Sequence, residues 1–258
     1  MFFTKLLLFF WLSIGILPLL NIPSAVAQVQ SANPQTFPRK RPAPPKRVPP
    51  NKVQPGGGLD FAQQSCTDST SSLVALVPIE NPVTTTKPNP SFLFYIPDRA
   101  TAISHGEFSL LSADDKYRIY QASVSLEDTP GIIKIDLPNI APHTLEEGKI
   151  YHWYFKIYCR NQSNSPISLN VDGWIERVTL TQARETKIES ASPDVWYDSV
   201  TRVAESLLDS PQNLELYDRW LKLLHHIDLE HLTKAPLVDA FQVSKPTKHE
   251  DENGLAGR

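Results

Sequence analysis

The side chains of this 258-residue chain that could bind a metal, move a proton or attack a substrate are its histidines, paired carboxylates and cysteines. Its seven histidines make one local group, His225, His226 and His231, near Asp228. A metal ion needs ligands that converge on one point, and adjacent His225 and His226 diverge by about 100 degrees on a helix. Solvated histidines at a helix end, favoured by its dipole, are the expected reading, and no metal is assigned. The acidic pairs Asp114-Asp115, Glu127-Asp128 and Glu146-Glu147 fall in expected turns, whereas two glycosidase carboxylates must face each other across a cleft. Gly-x-Ser-x-Gly, His-Glu-x-x-His and Ser-x-x-Lys are absent. With ten glycines in all, three of them consecutive at Gly56, Gly57 and Gly58, there is no phosphate-cradling loop. No catalytic residue and no cofactor is therefore assigned.

Recognition chemistry is better represented than catalysis. Tyr151 to Cys159, Tyr-His-Trp-Tyr-Phe-Lys-Ile-Tyr-Cys, alternates strictly with period two, which a strand with one buried face requires. Tyr151, Trp153, Phe155, Ile157 and Cys159 would point inward, and His152, Tyr154, Lys156 and Tyr158 outward. If the next strand pairs with this one, Ser168, Asn170, Asp172 and Trp174 lie beside the outward set. Aromatic rings interleaved with polar groups on a flat sheet can stack a sugar or grip a peptide, so His152, Tyr154, Tyr158 and Trp174 form the candidate binding face. The competing expectation is that C-terminal helices pack over this face, because aromatic residues are usually packing.

The elements that must position these residues follow from pattern. Residues 1–27 read as a signal peptide: one Lys5, an apolar run from Leu6 to Leu20, and Ala25-Val26-Ala27 before the expected cleavage. That run is shorter than the ~20 residues that span a bilayer, so no transmembrane helix is expected in the mature chain. Residues 28–58 carry eight prolines between Pro34 and Pro55 and cannot build a core, so they read as a disordered basic tether. Its Arg39, Lys40, Arg41, Lys46, Arg47 and Lys52 are candidate contacts to an anionic surface, against the plainer reading of a spacer.

Seven basic and no acidic residues precede Leu59, which leaves 18 basic against 28 acidic residues in the remainder. So acidic a body argues against nucleic acid as a ligand, since phosphate contacts need basic patches. In an exported chain Cys66 and Cys159 are expected to form a disulfide, because no Cys-x-x-Cys spacing or histidine cluster points to metal or redox work.

Between residues 59 and 182 short strands alternate with turns, the signature of a β-sandwich. Strands are expected at Leu73–Val77, Phe92–Ile96, Glu107–Leu111, Tyr117–Leu126, Ile132–Leu137, Lys149–Cys159 and Ile167–Val178. Phe92–Ile96 is apolar on both faces, so some sheet surface must be covered twice. From Ser192 the period becomes 3.6, with Ser192-Pro193 and Ser210-Pro211 as helix starts, so residues 183–242 read as a helical hairpin, with a third short helix near Leu229–Thr233. Residues 243–258 are polar and read as a disordered tail. The expected fold is mainly β: an immunoglobulin-like antiparallel sandwich of about seven strands followed by a C-terminal α-helical hairpin.

Leu145 to Tyr151, followed by Trp153 and Phe155, resembles the corner of immunoglobulin-like and fibronectin type III domains, where a tyrosine ties its hydroxyl back to the corner backbone. That resemblance makes Tyr151 the corner tyrosine. Cys66 precedes the first strand and Trp153 shares a strand with Cys159, so the antibody-type disulfide is absent. Leu73 to Pro78, Ser91 to Pro97, Thr129 to Ile132, Tyr151 to Cys159 and Gly173 to Val178 together resemble the cyanobacterial domain-of-unknown-function family 928. The resemblance implies an exported protein and brings no activity. The expected function is a non-catalytic interaction or adaptor module of the periplasm or cell envelope with a protein partner. A carbohydrate or wall-polymer binding module, using Tyr154, Tyr158 and Trp174, is the alternative, and an unrecognised envelope hydrolase a third.

Overall fold

In chain order the strands are β1 (Val74–Ala75), β2 (Thr84–Thr85), β3 (Ser91–Ile96), β4 (Ile103–Ser112), β5 (Arg118–Val124), β6 (Gly131–Asp136), β7 (Ile150–Cys159) and β8 (Ser168–Arg177). Helices α1 (Gln182–Glu189), α2 (Trp196–Asp209) and α3 (Leu214–His226) follow, with a 3-10 turn at Glu230–Leu232. The computed structural model describes residues 49–55, 65–67, 71–81, 83–139, 141, 143–160 and 168–238. The expected signal peptide, the basic residues Arg39 to Arg47 and the polar tail lie outside the described residues.

The strands form two sheets, β1-β3-β6 and β2-β8-β7-β4-β5. They face each other across an aromatic core. Phe92 and Phe94 of β3 meet Phe108 of β4 and Trp153 and Phe155 of β7, with ring centroids 4.4 to 6.5 Å apart. The inward set read from Tyr151 to Cys159 is buried, with Trp153, Phe155 and Ile157 fully enclosed, and Tyr154, Lys156 and Tyr158 are partly open as expected, but His152 departs from the alternation and is buried too. At Gly173 of β8, opposite Trp153, a Cβ would lie 2.4 Å from the indole, so only glycine fits beneath that ring. The Tyr151 hydroxyl accepts the Glu146 N–H at 2.9 Å, tying the start of β7 to the preceding turn.

β2 was expected to be turn. It pairs in parallel with Glu176 and Arg177 at the end of β8, the one parallel pairing among the eight described strands, which are otherwise antiparallel. Two residues are too few to show a period, so no pattern could announce it. α1 was not expected either. Thr181 caps it by accepting the Arg184 N–H, but it buries nothing and so lacks an apolar stripe.

The double covering expected of β3 is present. Leu93, and Ile132 across from Tyr95 on β6, point away from the sandwich core yet are 5 % and 1 % exposed. What covers them is α2 and the extended chain after the last helical turn: Glu205 of α2 grips Lys134 of β6 at 2.7 Å, and residues 236–238 pair with Ile132. Sandwich and helices share one continuous hydrophobic cluster that includes Trp196, Val200, Leu207, Trp220 and Leu224. At the N-terminal end of α2, Tyr197 enters the core: its hydroxyl accepts from Trp153 Nε1 at 2.8 Å, and its ring meets Phe92 edge-on at 5.4 Å. Burial pushes its phenol pKa far above the usual range. Trp196 Nε1 donates to the Leu76 carbonyl at 2.8 Å, so the buried indole N–H groups of Trp153 and Trp196 both have partners.

Candidate functional site

The helices take the outer face of the three-stranded sheet, and none of them lies on the outer face of β7. The expectation that they would cover the His152 face is therefore corrected: they cover the sheet containing Leu93, whose strand β3 is apolar on both faces and so needs a second covering layer. What remains is a regular grid. Antiparallel register sets Leu111, His152 and Trp174 in one row, Ser109, Tyr154 and Asp172 in the next, then Glu107, Lys156 and Asn170, then His105, Tyr158 and Ser168. All four residues of the candidate face thus share one surface, at the spacings that cross-strand neighbours allow.

At the Trp174 end the side chains lock together. The His152 ring stacks on the Trp174 indole with centroids 3.9 Å apart and planes within 8°. Its Nδ1 lies 2.9 Å from Asp115 Oδ1 and its Nε2 3.2 Å from Asp172 Oδ2, so a carboxylate faces each ring nitrogen. The Tyr154 hydroxyl reaches the same Nδ1 at 2.9 Å and Asp115 Oδ2 at 3.4 Å. Asp115 comes from the β4–β5 turn and holds a left-handed backbone (φ 58°), which an L-residue adopts at some cost and aspartate better than most. The turn is braced by Asp114, whose hydrogen bonds from Ser112 and Lys116 hold its carboxyl down at about 2.

His152 and Trp174 are 6 % and 8 % exposed, while Tyr154 and Tyr158 are half-buried. Asn51, in the lead-in to the sandwich, completes the enclosure by accepting the Trp174 N–H at 2.8 Å. Of the six basic residues considered as anionic-surface contacts, Lys52 is described. Its backbone pairs with Asp172 and its Nζ donates to Asn170 at 3.2 Å, so it extends the edge of β8.

Burial first, then the charges of Asp115 and Asp172, push the Tyr154 phenol up to about 12. An unfolded tyrosine ionises near ~10, so above that pH the unfolded chain gains charge that the folded one resists. The contribution is present below about pH 10 and is lost as pH rises through about 12. Urea titrations at about pH 9 and about pH 11.5 should show a smaller loss of stability in Tyr154→Phe than in the parent. An equal loss would place the ionisation elsewhere.

Two features of this surface were not anticipated. Asp115 was expected to be a solvated turn residue, and only the β4–β5 turn geometry brings it over His152. His105 stacks on Tyr158 with centroids 4.5 Å apart and planes within 12°, a pairing that depends on the β4–β7 register. At the C-terminal end His225 pairs with Glu230, which raises the imidazole pKa, and His226 lies against Trp196. Among the described residues no group of three His, Cys, Asp or Glu side chains is placed to hold a metal ion. Cys66 and Cys159 are bonded, their Cα atoms 5.3 Å apart, pinning the lead-in to the end of β7.

The fold and surface define a β-sandwich with one sheet clad in helices and the other presenting an aromatic, polar outer face. The chain belongs to the family described as Domain of Unknown Function (DUF928), whose model matches residues 54–237. No curated protein and no solved structure matches it. Among the described residues no helix is long and apolar enough to cross a membrane.

Proposed function

We propose that this protein is a non-catalytic binding module, exported to the periplasm or cell envelope, that docks a protein partner on the outer face of β4, β7 and β8. The observation that carries the reading is the division of labour between the sheets: the helices bury one outer face and leave Tyr154, Lys156, Tyr158 and Asn170 accessible on the other. A flat surface of half-buried tyrosines with polar neighbours suits a protein interface, where tyrosine supplies contact area and a hydroxyl at low entropic cost.

A sugar platform centred on Trp174 has less support, because His152 occupies one indole face and little of the ring is open. The disulfide is compatible with export, and a leader of signal-peptide character adds to that reading.

The test places a photo-crosslinking residue at Lys156 and, as a control, at exposed Lys187 on α1, in cells that make the protein. A discrete protein adduct at position 156 that is missing at 187, and that is lost when Tyr154→Ala is added, is expected. Equal labelling at both positions, or retention of the protein by purified wall polymer without any adduct, would overturn it.

A further inference from the structure

At the far end of the same sheet from Trp174, β4 carries an extra residue. Ile103 pairs with Cys159 and His105 with Tyr158, so Ser104 is bulged out of the ladder. A bulge re-aims the neighbouring side chain, and here His105 lies flat against Tyr158. Beside that stacked pair opens a cleft of about 330 Å³, between the start of β4 and the chain leaving β5. Val124 and Leu126 form its apolar floor, while Ser104, Ser125, Glu127 and Arg160 stand exposed around its wall.

The wall is already organised. Ser125 Oγ donates to Glu127 Oε1 at 2.9 Å, Ser104 Oγ lies 3.2 Å from His105 Nδ1, and Arg160 Nε donates to the Ile103 carbonyl at 2.7 Å.

We infer that this cleft binds a single pyranose ring of a glycan, a site separate from the protein-docking centre around Tyr154 and Lys156. The chemistry selects the ligand. Serine hydroxyls both donate and accept, the Glu127 carboxylate accepts, and the Arg160 guanidinium donates, which is the mixed set that vicinal hydroxyls require. A phosphate or other compact anion would meet the Glu127 charge. A purely apolar ligand would displace water from the exposed polar wall and return no hydrogen bond to it. The Val124 and Leu126 floor and the His105–Tyr158 rim offer apolar and aromatic surface to the C–H face of a sugar ring. The volume lies at the lower end of the range for small-molecule sites, about 300 to 1,000 Å³, and suits one ring better than an oligosaccharide.

The experiment is saturation-transfer NMR on the full chain with N-acetylglucosamine and, separately, glucuronate. Transfer to the ring C–H protons of at least one sugar is expected, with affinity weakened at least about tenfold in both His105→Ala and Glu127→Gln. Both residues are exposed, so circular dichroism should show either variant folded as the parent. Lys156→Ala, on the docking centre, should bind the sugar unchanged. No transfer from either sugar at about 10 mM, well above a millimolar Kd, would overturn the inference. So would binding that survives both cleft variants, or binding lost in Lys156→Ala alone.

Discussion

Replacing Cys66 and Cys159 together by serine is expected to lower stability by about 4 to 5 kcal/mol. The bond joins residues 93 apart in sequence, and constraining so long a loop removes much of the entropy of the unfolded chain. Its folded-state role is local. The described lead-in residues Ser65–Thr67 lie in none of the named strands and are also held by Asp98, which is 1 % exposed and accepts from the Cys66 N–H, the Thr67 N–H and the Thr67 hydroxyl. Urea unfolding of oxidised parent and double-serine variant measures the difference directly. A loss under about 1 kcal/mol would mean that the bond adds little to the other contacts of the lead-in, those of Asp98 among them, and that the unfolded chain is already compact.

The comparison of pattern with structure turns on which residues carry a period. The inward set of Tyr151 to Cys159 was legible, because every second side chain contributes to one core, whereas the burial of His152 under Trp174, Asp115 and Asp172 on the other face was not. Phe92 to Ile96 was legible in a subtler way: apolar on both faces, it announced a second covering layer, and the helices supply it through Leu93, Ile132 and the Lys134–Glu205 pair. Which sheet that layer would choose was not legible, since it depends on how the strands divide between the two sheets and not on any one strand.

The same limit governed the site. Period alone placed His152, Tyr154, Tyr158 and Trp174 on one face, but a face is not a geometry. The Asp115 contact needs a left-handed turn residue, and the His105–Tyr158 stack needs a bulge at Ser104. Both are set by three-dimensional pairing between segments distant along the chain, Asp115 and His152 being 37 residues apart.

Asp198→Ala is expected to cost at least about 3 kcal/mol, because it strands three buried donors at once. Asp198 lies in the first turn of α2, 1 % exposed. Its carboxylate accepts the Thr85 hydroxyl at 2.8 Å, the Thr86 N–H at 2.7 Å and the Thr86 hydroxyl at 2.8 Å. Each buried donor left without an acceptor costs about 1 to 3 kcal/mol, and a carboxylate in the first helical turn also favours the dipole. This network explains why a strand as short as β2 exists: Thr85 faces the helix with its side chain while its carbonyl accepts the Val178 N–H beyond β8. Asp198 therefore couples the helical layer to the edge of the five-stranded sheet. Asp198→Asn keeps one acceptor oxygen but turns the other into a donor facing donors, so it should lose less than alanine and still fall well short of the parent. In a double-mutant cycle Thr85→Val should show a coupling of roughly 1 kcal/mol or more with Asp198→Ala, and hydrogen exchange should quicken at the start of α2 before it does in β7. Additive losses, with exchange rising equally in both elements, would show that the Asp198 network does not couple α2 to β2 and that the helix is held by its other contacts, those of Trp196, Tyr197 and Glu205 among them.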